Sequence, residues 1–572
     1  MPPPVTGPAR AGEQVAVALV GAAALATTVT LALALPPCRR RRGPAGAADP
    51  APPLPAPPDP APEGGGPPPA PDALALGRAA FEAGRYVDAL EAAAAALEIR
   101  PDDIEALLLR ACARLHLDDL VEAEEDASVA LALDPTRLGA RRLRAEVRRA
   151  RGDVQGALED ARLVLAEAIG VDRAEALAVR AWARHRLGDK AGAAEDYATA
   201  AALVPRGRWS IEGGSALLEL GKVDEALEQL EMGLASEPDD VLGLVNRATC
   251  RMLRGELDLA LADADRAVTL RPTLGVLVSR RGEVRRLRGE LDLALTDLSR
   301  AIELDREYAE TWRQRAVVRA GLKDVEGAIA DYRQALALGV SPREVLPNLG
   351  LLLARTGALQ EALETFDTAL RLDPRNRVAY SGRADVRESL GDPVGALADL
   401  GRAIEVGPPD WSLHHNRAIL RNSVEDHEGA RADYDRVLEL KPDFVDALMT
   451  RGDLRRRMND VDGALEDLAR AVALAPDNPR VHLAYGLAFH ARGGAEALAR
   501  ADEELSIYLA ARPDHARILA ERAFVREKLG RKADALADFR RVLELPPEGD
   551  DSSRSFARQR IKRLEEAARP PE

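Results

Sequence analysis

From about residue 70 onward, apolar and small side chains fall at helical spacing in short runs, each broken by a turn and then resumed. The stretch LGRAAFEAGRYVDALEAAAAALEIRP at 76–101 shows one full pair of runs, with Gly77, Gly84, Ala89, Ala96, Leu97 and Pro101 as markers. RAVVRAGLKDVEGAIADYRQALALG at 315–339 and LGLLLARTGALQEALETFDTALRLDP at 349–374 repeat the pattern. Pro101 and Pro135 lie 34 residues apart, as do Pro238 and Pro272, Pro374 and Pro408, Pro408 and Pro442, and Pro442 and Pro476. A fixed period of this size marks a repeat array. Counting the small residue of the second run, from Ala89 to Ala535, gives 14 copies, with insertions at 169–172 and 493–498.

Each copy predicts a helical hairpin, its two helices split by a turn such as Gly255-Glu256 or Gly391-Asp392. Two helices approach closely only where side chains are short. Gly77, Ala111, Ala316 and Gly350 of the first helix are therefore expected to face the alanine of the second. A small residue in the first helix, Ala with an aromatic or Leu in the second, and a closing Pro together resemble the tetratricopeptide repeat family, over nearly nine-tenths of the chain. The resemblance implies an all-α fold: an α-solenoid, a right-handed superhelix of about 14 hairpins. Residues 552–568 carry Phe556, Ile561, Leu564 and Ala567 on one face and predict a C-terminal capping helix over the last hairpin.

The chain departs from the family at the seventh and eleventh positions of each copy, where Leu and an aromatic are usual and arginine mostly stands. Ten copies have both arginines, and those ten have aspartate at position twenty-three. Folding a hairpin about its turn brings positions seven and twenty-three opposite each other. Ten structural pairs follow: Arg110 and Asp126, Arg144 and Asp160, Arg180 and Asp196, Arg247 and Asp263, Arg281 and Asp297, Arg315 and Asp331, Arg383 and Asp399, Arg417 and Asp433, Arg451 and Asp467, Arg522 and Asp538. The eleventh-position arginine has no equally clear partner and is the better candidate for contact outside the hairpin. The first, fifth, ninth and thirteenth copies lack the pair. They hold Leu76 with Ala92, Gly213 with Gln229, Leu349 with Thr365, and Tyr485 with Glu504. A four-copy duplication unit would give that interval.

Composition agrees with thin helix-on-helix layers: apolar residues are 46%, charged residues 30%, and aromatics only 3%. Three cysteines, Cys38, Cys112 and Cys250, exclude a disulfide framework, and Cys112 and Cys250 read as small core residues. Residues 1–72 hold five basic and five acidic side chains, so the net charge of −15 belongs entirely to the remainder. That charge repels phosphate backbones and argues against nucleic-acid binding.

The first 72 residues read separately: a short tail at 1–14, an uncharged run at 15–35, and a segment at 36–72 with a basic run followed by Pro, Ala and Gly. The 21-residue run VAVALVGAAALATTVTLALAL is long enough to cross a bilayer. Arg39 to Arg42 follow it, predicting a single-pass anchor with the array on the cytoplasmic side. Thirteen prolines between 43 and 72 predict an extended spacer. The array is expected over 73–549 and the capping helix and tail over 550–572.

No phosphate-binding loop, HExxH or GxSxG motif is present, and His414, His415 and His427 form the only histidine cluster. No enzymatic activity, cofactor or metal is expected. The resemblance implies a membrane-tethered scaffold holding protein or peptide segments, basic or neutral ones favoured by the charge. A regulatory subunit of a membrane-associated enzyme, or of an envelope-assembly or secretion complex, is the alternative.

Overall fold

The computed structural model describes residues 73–546 and 552–566. They form 29 α-helices and no strands, an α-solenoid of paired helices, and divide into two compact units at residues 338 and 339. The first unit holds eight hairpins, from Ala73–Glu82 with Tyr86–Ile99 to Ala309–Gly321 with Val325–Ala337. The second holds six, from Pro342–Arg355 with Leu359–Leu372 to Ala516–Lys528 with Lys532–Glu544, followed by Ser552–Glu566.

Every hairpin turns through a residue of positive φ at position fifteen, joined in the thirteenth by a second, Gly494. Ten of these are glycines, while Asp118, Lys323, Glu425 and Asn459 adopt the same conformation with a side chain. The next residue donates its N–H to the carbonyl of position eleven, as Asp153 does to Arg148 at 2.9 Å and Asp392 to Arg387 at 2.8 Å. The turn thus satisfies a carbonyl that the ending helix leaves open.

All 14 marker alanines of the second helices are fully buried. The close approach they permit shows at Gly77, where an added Cβ would lie 3.2 Å from Ala92 Cβ and 3.6 Å from the Ala89 carbonyl oxygen of its own hairpin, and 2.8 Å from Leu109 Cδ2 of the next. The insertions at 169–172 and 493–498 lengthen helices rather than loops, giving the 17-residue helices Gly170–Arg186 and Ala495–Ala511. Helix Ser552–Glu566 packs Ala557 and Leu564 into the core of the last hairpins. Phe556 sets its ring edge-on against Phe524 and Phe539, with centroids 5.7 and 6.0 Å away.

The expected tail at 1–14, transmembrane run at 15–35 and spacer at 36–72 lie outside the described residues. Among the described residues no helix is long and apolar enough to cross a membrane. The single-pass membrane placement is corrected accordingly: these helices are short and bury one face against their neighbours, and their other faces carry charge.

Candidate functional site

The most regular chemical feature of the molecule runs between the two helices of each arginine-bearing hairpin. The seventh-position guanidinium donates through Nε at 2.8–2.9 Å and Nη2 at 2.5–2.8 Å to the two oxygens of the aspartate at position twenty-three. The ten pairs brought together in this way are those of Arg110, Arg144, Arg180, Arg247, Arg281, Arg315, Arg383, Arg417, Arg451 and Arg522. Their aspartates are 1–7% exposed. Its hydrogen bonds to Asp399, ahead of the opposing effect of burial, hold the Arg383 guanidinium above its ordinary pKa.

The eleventh-position arginine, expected to reach outside the hairpin, instead turns to the same aspartate. Its Nη1 lies 2.6–3.1 Å from that carboxylate in all ten hairpins, from Arg114 to Arg526. One carboxylate presents about four acceptor sites, so it satisfies two guanidiniums at once.

A second carboxylate completes the group in six hairpins. Asp153, Asp189, Asp324, Asp392, Asp426 and Asp460 cap the second helix by accepting the N–H of the glycine three residues on, at 2.9–3.1 Å. The same aspartates lie 3.4–3.9 Å from Nε of the eleventh-position arginine. That arginine also donates to the glycine carbonyl at 3.1–3.4 Å. The sequence carries the signal as an Asp-x-x-Gly spacing at the head of the second helix, from Asp153 and Gly156 to Asp460 and Gly463. Glu256 and Glu290 stand at that position in two further hairpins and bond Arg254 and Arg288 instead. Nε of Arg251 and of Arg285 is buried there without a hydrogen bond.

Neighbouring hairpins are linked through the same arginines. Arg281 reaches Asp265 at 3.1 Å, Arg383 reaches Asp367 at 2.7 Å, and Arg451 reaches Asp435 at 2.6 Å. The four hairpins without the pair use other contacts. In the ninth, the fully buried Phe366 fills the space opposite Gly350 and Gly382. In the thirteenth, Nδ1 of His482 lies 2.6 Å from Glu504, and Nε2 lies 2.7 Å from the Pro476 carbonyl.

Successive first helices touch one another across hairpins, as Gly275–Leu287 touches both Val241–Leu253 and Ala309–Gly321. They therefore form the inner face of each unit. In the first unit this face is polar. Asn246 donates to Ser215 at 2.6 Å, Thr311 to Ser279 at 3.1 Å, and Ser279 to Gln314 at 2.8 Å. Arg280 donates to Glu283 at 2.7 Å and Arg313 to Glu310 at 2.8 Å. Arg149 donates to Glu146 at 3.0 Å, and although burial pushes Glu146 upward, that guanidinium holds it below the usual carboxylate range.

His414, His415 and His427 do not converge on a shared point: His414 Nδ1 lies 3.0 Å from Asp433 Oδ1, and burial depresses His415, which packs edge-on to Tyr434 and Phe444. No group of three or more potential metal ligands gathers among the described residues. Cys112 is partly and Cys250 fully buried; burial raises both thiols, that of Cys250 to about 12.

Four segments match known repeat families. Residues 74–137, 211–274 and 348–410 match a family described as tetratricopeptide repeat, and residues 452–493 match one described as TPR repeat. The chain carries tetratricopeptide repeats at those places. No curated protein matches it. Similar solved structures include one of the APC/C hetero-tetramer Cut9–Hcn1, at 15% identity over 80% of this chain and 95% of that one, with a TM-score of 0.36. Yeast Tom70 is similar at 15% identity over 70% of this chain and 97% of that one, with a TM-score of 0.30. A tetratricopeptide repeat protein from Parabacteroides merdae is similar at 21% identity over 41% and 93%, with a TM-score of 0.34.

Proposed function

We propose that the array is a scaffold whose inner face holds extended protein or peptide segments, with the arginine–aspartate groups serving to hold the hairpins rather than the guest. The observation carrying this reading is the row of hydrogen-bonding side chains along consecutive first helices of the first unit, from Ser215 and Asn246 to Ser279 and Gln314. Those side chains are buried and bond one another across consecutive first helices, so they keep the inner face polar beneath a guest, while each aspartate of the arginine groups is already saturated by its own hairpin. The net charge of −15 favours guests that are neutral or basic overall. The role in charge recognition is therefore long-range attraction, with short-range selection left to the inner face.

A photo-crosslinking residue tests the assignment. Placed at Leu253 or Val317 on first helices of the full chain, it should label bound clients. At the exposed Leu259 or Leu293 of second helices it should not. Labelling confined to the second-helix sites would refute the inner-face reading.

A further inference from the structure

In three arginine-bearing hairpins an acid at position nine of the inner face is followed one turn later, at position twelve, by an arginine: Glu146 by Arg149, Glu283 by Arg286 and Asp453 by Arg456. Arg149 Nε lies 3.0 Å from Glu146, and Arg456 Nη2 lies 2.7 Å from Asp453. The tenth hairpin departs from this order. Asp385 holds position nine and a second acid, Glu388, stands where the arginine would be, so two carboxylates lie one turn apart on the same face of helix Arg377–Ser389. Like charges at that spacing repel each other. The hairpin does not use the pair to close its seam, because Arg383 and Arg387 are both bonded to Asp399 at 2.5–2.9 Å.

The two acids line a cleft of about 300 Å³ between this hairpin and the next. Asn416 of helix Trp411–Ser423 lines it with them, and Leu400 and Leu420, each 3% exposed, together with the half-exposed Ile419, make the rest of its surface aliphatic. The other cations of the lining helices are engaged elsewhere: Arg377 by Asp410, Arg402 by Glu405, and Arg417, Arg421 and His414 by Asp433. Asp385 and Glu388 make further contacts of their own. Those contacts do not close the site, because a carboxylate presents about four acceptor sites, and Asp399 in the same hairpin already serves two guanidiniums.

We propose that this cleft takes a lysine side chain of a guest segment, on the reading of the inner face as the binding surface. The aliphatic lining suits the four-carbon stem, and the two carboxylates with the Asn416 amide suit the ammonium at its end. A guanidinium fits less well, since its planar fork takes both oxygens of one carboxylate, whereas the acceptors here come from three side chains on two helices. A divalent metal ion fits least, because no group of three or more potential ligands gathers among the described residues and aliphatic surface offers a hydrated ion nothing. The preference for basic guests, which the net charge exerts at long range, thereby gains one fixed point of contact.

The test uses the full chain and a nonapeptide library of neutral and basic sequences, each made with Lys, norleucine, 2,3-diaminopropionate or Arg at the central position and titrated by fluorescence anisotropy. Norleucine keeps the stem without the charge, and diaminopropionate keeps the charge without the stem. The Lys members should bind about tenfold tighter than either, and tighter than the Arg members. Glu388→Arg gives the tenth hairpin the acid-then-arginine order of the third and twelfth, so it should bring the Lys members down to the norleucine level while the protein unfolds at a temperature no lower than the parent's. Glu388→Gln should remove part of the Lys preference with the norleucine members unchanged, and it carries the test by itself if the arginine variant does not fold. Equal binding of Lys and norleucine members, a Lys preference unchanged in both variants, or tighter binding of Arg members overturns the lysine cleft while leaving the inner-face reading standing. Failure of every peptide to bind overturns both.

Discussion

At the scale of single residues, the arginine groups are unusual in placing two guanidiniums on one nearly buried carboxylate. Asp331 is 2% exposed and holds Arg315 at 2.8 Å and Arg319 at 3.0 Å. Asp331→Ala should cost about 3 kcal/mol, because it strands two cations in a partly desolvated seam. Adding Arg315→Leu should recover at least about 1 kcal/mol of that loss. Urea unfolding of the full chain, followed at Trp312 as the single remaining tryptophan, reports on the same helix; additivity within about 0.5 kcal/mol would show no coupling. His482 tests a different chemistry. Burial works against its charged form, but Glu504 and the Pro476 carbonyl raise its pKa above the ordinary value. A raised histidine stabilises fully below about pH 6.5 and loses that contribution as pH rises through the folded-state pKa. Unfolding midpoints should therefore fall as pH rises above about 6.5, and His482→Gln should flatten the profile there. A profile unchanged by that substitution would exclude the pair as its source.

At the scale of the element, a hairpin is a register device. Its two helices are joined through one left-handed residue, so what faces what inside a hairpin follows from counting, and positions seven and twenty-three were legible as neighbours. The double use of each aspartate was not, since assigning one acceptor to one donor left the eleventh arginine looking spare. The cap formed by Asp153 and its equivalents was written in the sequence as a spacing, yet its meaning appears only once the eleventh arginine lies across it. The bond from Thr311 to Ser279 was less legible still, because it depends on how Gly275–Leu287 lies beside Ala309–Gly321, a between-hairpin register that counting along one copy does not supply. Packing between the ninth and tenth hairpins gives a sharp test. An added Cβ at Gly382 would lie 2.4 Å from the Phe366 ring, and at Gly350 2.7 Å. Gly382→Val should destabilise the second unit by about 1–3 kcal/mol, and Phe366→Leu in the same chain should restore part of it. A Gly382→Val protein of parental stability would mean that the ring moves aside freely.

At the scale of the whole molecule, the fourteen-copy count and the helical class were readable because a 34-residue period survives substitution at any single position. The net charge of −15 is carried by residues 73–572. Binding of a basic peptide should weaken as salt rises from 50 to 300 mM, since exposed charges are screened beyond roughly 10 Å at 0.1 M. Single-stranded RNA and duplex DNA, titrated alongside, should not bind; micromolar affinity for either at physiological salt would contradict the charge argument.

The way the arginine groups are closed also bears on how such a chain changes length. Six hairpins contain two guanidiniums and two carboxylates facing them within one copy, and in three of the six Arg148, Arg383 and Arg451 add a carboxylate of the preceding copy. A segment of 34 residues inserted or removed in phase therefore takes its buried cations and their counter-ions together. No charge is left stranded at the new junction, and links such as Arg281 to Asp265 have only to be re-formed with whichever neighbour arrives. Buried charge, ordinarily an obstacle to rearranging a core, becomes in this arrangement a transferable property of the copy, and the number of copies is free to drift by duplication and loss.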